Sequence, residues 1–194
     1  NGTALYNSYI LTDATVNKQF SGELKWSSSL LEDRLKYVAG VFYLQEKNKD
    51  AMADFQSTVA GATAFNLLQD RHFHQKVETA AIYLQADYEA VPGLIATLGG
   101  RYTYETKKLG FETSDRFPGF GFDSAAAIAA GIPLKLTQKR FTPRVALSYK
   151  VDPNVLIYAS ATNGFKSGGW NGGSATPARV LPFRPERTWS YEAG

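Results

Sequence analysis

The sequence holds no cysteine, one methionine and two histidines in 194 residues. Without cysteine there is no disulfide scaffold, no thiolate metal centre and no thiol nucleophile. Long apolar runs are missing as well. Nothing approaches the roughly 18 to 20 uncharged apolar residues that a membrane-crossing helix needs, which excludes a helical membrane protein. A membrane β-barrel stays open, because its strands alternate and leave a much weaker hydropathy signal. Excess charge of one sign is also lacking: 21 Lys and Arg stand against 18 Asp and Glu, for a net charge of +3. The cations are scattered rather than gathered in a stripe, so nucleic acid is not expected as a partner. With 44% hydrophobic and 20% charged residues, the chain is neither a disordered segment nor uniformly apolar. Its length fits one domain.

What the sequence has is aromatics, 11 Tyr, 12 Phe and 3 Trp, set in period-two alternation. From Leu94 to Thr106, Leu94, Ala96, Leu98, Gly100, Tyr102 and Tyr104 share one face, while Thr97, Arg101, Thr103 and Glu105 share the other. Phe141 to Val151 repeats this, with Thr142, Arg144, Ser148 and Lys150 on its polar side, and so does the second half of Lys76 to Ala90. Weaker runs lie at Gln19 to Ser27, Leu35 to Lys47, Asn154 to Asn163 and Arg187 to Gly194. In Leu35 to Lys47 and Asn154 to Asn163 the pattern alone does not decide which face is apolar.

The connections alternate in length. Leu30 to Arg34, Val91 to Gly93 and Asp152 to Asn154 read as tight turns, whereas 48–75, 108–139 and 165–186 read as long polar or glycine-rich links. Links above about 12 to 15 residues are uncommon in compact domains. Three at the same end of an up-and-down meander match a membrane barrel, with short turns on one side and long loops on the other. The strand runs agree, since a tilted membrane-crossing strand takes about 9 to 11 residues. Tyr102, Tyr104, Tyr149, Tyr158, Trp189 and Tyr191 lie near strand ends, where an interfacial aromatic girdle belongs. The Ala-rich pieces Ala51 to Ala64 and Ser124 to Ala130 are candidates for short helices within the loops.

Signs of chemistry are sparse. His72 and His74 could hold a metal with Asp70, but solvated loop histidines are the plainer expectation, and no metal or cofactor is assigned. The glycine-rich stretch from Gly164 to Gly169 lacks the order of a phosphate loop. No nucleophile elbow accompanies a Ser, His and Asp set, so the chain is not expected to be an enzyme. It begins at Asn1 rather than Met and stops at Gly194 inside a strand pattern, and so reads as a piece of something longer.

Particular residues carry a family resemblance. The segments FSGELKW (Phe20 to Trp26), YVAGVFYLQE (Tyr37 to Glu46), LGGRYTYETKK (Leu98 to Lys108), FTPRVALSYKVDPNVLIYASATNGFKSGGWNG (Phe141 to Gly172) and FRPERTWSYEAG (Phe183 to Gly194) come in a suggestive order. Together they resemble the barrel region of TonB-dependent outer-membrane receptors. The resemblance covers nearly the whole chain, and its most specific parts are ATNGFKSGG and RPERTWSYEAG. It implies an all-β, antiparallel up-and-down meander of about seven long strands, part of a barrel of about 22. Residues 1–194 would then be a partial barrel domain in the outer membrane of a Gram-negative bacterium, without the plug, the TonB box or the last strand.

The resemblance also implies the partners: outer-membrane lipid, the TonB energy-coupling complex acting through the absent plug, and a large scarce solute, first of all a ferric siderophore. Arg101, Glu105, Arg144 and Lys150 fall on the face that would line the lumen. The loop residues Trp170, Lys166, Arg179, Arg71, Arg116, Phe120 and Phe122 have the aromatic and cationic character to hold a flat or anionic ligand. A passive pore or an adhesin is the alternative, and a soluble β-sheet binding module a weaker one.

Overall fold

The computed structural model describes residues 8–57, 65–115, 123–171 and 180–194. The strands are β1 (Ser8–Leu30), β2 (Leu35–Ser57), β3 (Asn66–Val91), β4 (Leu94–Asp115), β5 (Lys135–Asp152), β6 (Val155–Lys166), β7 (Gly169–Trp170), β8 (Pro182–Phe183) and β9 (Glu186–Ala193). One short helix, α1 (Ser124–Ala129), lies between β4 and β5. Seven strands form a single antiparallel sheet in the order β1-β2-β3-β4-β5-β6-β9, and β7 pairs with β8 as a small ribbon.

The sheet is inside out by the standards of a water-soluble protein. Register places Leu24, Val41, Ile82, Tyr102 and Phe141 on one face of neighbouring strands. These side chains are exposed: Leu24 at 73% and, on the same face, Leu98 at 67%. Polar Thr79 and Thr103, on the other face, are 7% and 5% exposed. A hydrophobic face left open while hydroxyls are covered gains free energy only where the medium outside is hydrocarbon. Register also settles the two ambiguous runs. Leu35, Tyr37, Val41 and Tyr43 share the apolar face, as do Ile157, Ala159 and Ala161. Tyr158, paired with Ser148, falls on the polar face instead of in the girdle, and its hydroxyl donates to Glu192 Oε1 at 2.8 Å.

Glycine and aromatic residues interlock on both faces. The Tyr83 ring crosses Gly40, whose missing Cβ leaves the only room for it, and donates to Glu23 Oε1 on β1 at 2.8 Å. On the apolar face the Phe141 ring lies over Gly100 in the same way. An aromatic ring covering a glycine shields backbone that would otherwise be bare.

The short turns are staggered, and the stagger measures strand tilt. Leu30 and Leu35 close the first turn, but Tyr88, opposite Leu35, is three residues short of the Val91–Leu94 turn. Leu147, in line with Tyr88 through Ala96, is five residues short of Asp152. Turns at one height that slip about five residues over four strands require a tilt of about 40°, at about 3.3 Å per residue and 4.8 Å between strands. With that tilt, the apolar face of β4 from Leu94 to Tyr104 spans about 25 Å of height, the thickness of an outer-membrane apolar band.

Two of the turns show local strain or its avoidance. Leu31, Glu32 and Asp33 all have positive φ (55°, 57° and 66°). They are held by a hydrogen bond between Ser29 and Asp33 and by the Arg34 guanidinium on the carbonyls of Glu89 and Ala90. The second turn uses Pro92 and then Gly93 at φ 82°, the position that takes glycine in a type II turn.

The strands outrun the alternation. The links expected at 48–75 and 108–139 are shorter, since β2 continues to Ser57, β3 begins at Asn66 and β4 continues to Asp115. There the strands rise above the apolar band with water outside, so no apolar face marks them in the sequence. Ala51 to Ala64 is not helical where described: through Ser57 it is strand, its backbone engaged by β1 and β3 on either side, which overrides alanine's helical preference. His72 and His74 lie on β3 rather than in a loop, with His72 Nε2 3.1 Å from Asp70 Oδ2. Ser124–Ala129 is helical, with Asp123 accepting from the Ala126 N–H as its N-cap.

Candidate functional site: the polar face and the loop core

Alternation along four adjacent strands brings a connected set of polar groups to the face opposite the apolar band. Near the short turns, Thr97 donates to Asp87 at 2.6 Å. Higher up, the Arg101 guanidinium lies 5.1 Å from the Phe42 ring centre and 6.0 Å from that of Tyr83, and its Nε donates to Thr103 at 3.3 Å. Above that, Thr79 donates to Glu105 at 3.2 Å, and Lys107 Nζ stands 3.6 Å from the same carboxylate. Higher still, one Arg71 nitrogen donates to both oxygens of Asp54, at 2.7 and 2.8 Å. Asn48 Oδ1, Gln138 Oε1 and Arg140 Nε on this face are buried with no hydrogen-bond partner among the described residues. Charged and hydroxyl groups line the face from Asp87 to Lys107, so this surface is suited to water or other polar matter rather than to hydrocarbon.

Beyond Glu105 and Lys107, and just below the Arg71–Asp54 pair, the same face turns apolar. Phe73, Leu109, Phe111, Ala127, Ile132, Trp170 and Val180 form one buried cluster, with Met52, Leu134 and Leu136 packed against it. Strands supply one wall and the connections supply the other. The Ser124 hydroxyl accepts from the Phe111 N–H at 2.7 Å and donates to the Phe111 carbonyl at 3.0 Å, which ties α1 to β4. Trp170 on β7 donates from Nε1 to the Pro133 carbonyl at 2.7 Å, tying the connection after β6 to the one before β5. Two loops far apart in sequence thus share one core and fold inward over the polar face.

The residues expected to bind ligand are distributed unevenly. Trp170 is 8% exposed and lies inside the loop core. Arg71 is buried against Asp54, and Lys166 is exposed at the end of β6. Arg116, Phe120, Phe122 and Arg179 lie outside the described residues. Arg101, Glu105, Arg144 and Lys150 fall on the polar face. Asp87 falls on the polar side expected of the Lys76 to Ala90 run, whereas sequence reasoning missed Asp54, Glu23, Tyr83 and Gln138. These four sit on the polar parity of their strands, and continuing the alternation past the apolar band would have found Asp54 and Gln138.

A family model described as TonB dependent receptor-like, beta-barrel, matches residues 1–194. Among solved structures, the chain is similar to the ferric yersiniabactin uptake receptor FyuA from Yersinia pestis, with 16% sequence identity and a TM-score of 0.78. The likeness covers 96% of this chain and 27% of that one. At this identity it speaks to fold, and this chain spans about a quarter of the receptor's length.

Proposed function

This chain belongs to the TonB-dependent receptor β-barrel family, outer-membrane proteins of Gram-negative bacteria, and from that premise we propose that it is wall and loop of a receptor importing a scarce solute too large to diffuse through a pore. A ferric siderophore is the first candidate, since the structurally similar FyuA is a ferric yersiniabactin receptor. Import would be driven by the TonB complex through a plug filling the barrel. The observation that carries this reading is the polar inner face, with Arg101, Glu105 and Lys107 on it, capped by a dry loop core. That polar face would bond a polar plug, and the inward-folded loops would narrow the entrance as selective capture requires.

In this reading Trp170 is a positioning residue. It fixes the two connections whose further residues, Arg116, Phe120, Phe122 and Arg179, together with Lys166, would meet the ligand. The test is uptake of iron-55 siderophore complexes, haem, cobalamin and an oligosaccharide panel by cells carrying the full-length receptor, with and without TonB. Accumulation of one solute that vanishes without TonB is the expected result. Ion conductance through the purified protein with no TonB-dependent uptake would favour a passive pore.

A further inference from the structure

A second feature lies on the opposite side of the wall. Register pairs Lys18 with Lys47, Lys47 with Lys76, Lys76 with Lys108 and Lys108 with Lys135, one lysine on each of five consecutive strands. All five have the outward parity of Leu24, Val41, Ile82, Tyr102 and Phe141. Five ammonium groups thus fall within about 20 Å, at about 4.8 Å between strands. Like charges placed opposite one another destabilise a sheet, so the row works against folding unless something anionic covers it. Glu78 answers Lys76 at 2.7 Å, and the other four of the row are exposed.

Height identifies what covers them. On four strands the lysine follows an outward residue of the apolar band by two to four positions: Phe20 then Lys18, with Val16 beyond it, Tyr43 then Lys47, Ala80 then Lys76, and Tyr104 then Lys108. On tilted β5, Lys139 follows Phe141 directly and stands 5.8 Å from the Tyr104 ring centre. These steps raise Lys18, Lys47, Lys76, Lys108 and Lys139 about 5 to 10 Å above the apolar band, and Lys135, six residues beyond Phe141, about 15 Å, at the tilt read from the turns. That is the layer of lipid headgroups, within reach of a lysine stem lying on the aromatic rim. The outward lysines of the described residues are confined to the long-loop side. At the short-turn end, the outward positions include Leu30, Leu35, Tyr88, Leu94, Val151 and Val155, and the cation there, Arg34, is held by the Tyr88 ring at 5.7 Å and by the carbonyls of Glu89 and Ala90.

We infer that Lys18, Lys47, Lys76, Lys108, Lys135 and Lys139 form a binding surface for phosphorylated anionic glycolipid in the outer leaflet, the leaflet on the long-loop side. Phosphates spaced along the row cancel the like-charge repulsion, and the acyl chains lie against the apolar band below.

The full-length receptor in neutral-lipid nanodiscs tests this with bisphosphorylated lipid A, the same lipid after enzymatic removal of its phosphates, and inorganic phosphate. Wild type should bind the bisphosphorylated lipid at least tenfold more tightly than the dephosphorylated one. Millimolar inorganic phosphate should compete poorly. The quadruple variant Lys18→Gln, Lys47→Gln, Lys108→Gln and Lys135→Gln should lose that preference while keeping the heat-modifiable migration of a folded barrel. Where that variant does not assemble, amine-reactive footprinting of the wild type decides. The bisphosphorylated lipid should protect these lysines from modification, and the dephosphorylated lipid should leave them reactive. Equal binding of the two lipids, unchanged preference in the folded variant, or no protection overturns the proposal. Competition by inorganic phosphate at concentrations matching the lipid overturns the assignment to lipid.

Discussion

The lower and upper halves of the same strands bury opposite faces. Toward the short turns, β3 and β4 are apolar through Ile82, Leu84, Leu98 and Tyr102, which point outward. Toward the long loops they are apolar through Phe73, Leu109 and Phe111, which point the other way and are covered by α1, Trp170 and Val180. No register shift separates the two sets on these paired strands between Gln69 and Glu89. The chain is continuous and the pleat is regular, so it is the surroundings that change. Hydrocarbon lies outside the lower half, and water lies outside the upper half, which builds its own dry interior from loops. The parity of the apolar residues along a strand therefore reports which medium each stretch meets.

The comparison can be broken first in the upper half. Phe111 is 1% exposed, and Phe111→Ala in the full-length receptor should cost about 3 to 5 kcal/mol, the range for deleting a buried ring. That cost should be the same in detergent and in lipid, because the cluster is protein-made. In the lower half, Leu98→Arg should cost about 2 to 4 kcal/mol near the bilayer midplane, while Thr97→Arg on the polar face should cost far less. Unfolding titrations in lipid vesicles measure both, and equal costs for the two faces would undo the assignment of lipid to the Leu98 side. Trp170→Phe keeps the ring in the loop core but removes the donor to Pro133, so a loss of about 1 kcal/mol is expected, seen as faster proteolysis of the loops. Least of all, Glu32→Gly should stabilise by about 0.5 to 1 kcal/mol, since an L-residue pays for a left-handed conformation that glycine adopts freely. A decrease in stability there would mean that the Glu32 side chain holds the turn.

The half that meets lipid was legible in the sequence. Leu94 to Tyr104 and Phe141 to Val151 show their apolar face because one side is uniformly greasy and the other uniformly wet. The half above was not. Around Phe73 the neighbours of both parities include Arg71, His72, His74 and Gln75, which reads as a loop, and only the pairing with β2 and β4 makes it strand. The Arg71–Asp54 pair spans a connection between strands, so nothing local announces it. Trp170 looked available because a tryptophan in a glycine-rich stretch has no visible partner in sequence. Its partner is the Pro133 carbonyl, 37 residues away. The lysine row was hidden for the same reason, since single lysines on five strands become neighbours only through register.

The stagger of the short turns fixes more than a slope. Strands tilted by about 40° and set about 4.8 Å apart, repeated to the family's count of about 22, close a ring about 45 Å across. Side chains reaching inward from both sides leave most of that span open. The wall described by these residues is therefore a hoop, and no rearrangement of its own side chains can seal it. The plug proposed above would be folded chain seated in that opening, and the polar face around Arg101, Glu105 and Lys107 is where it would bond.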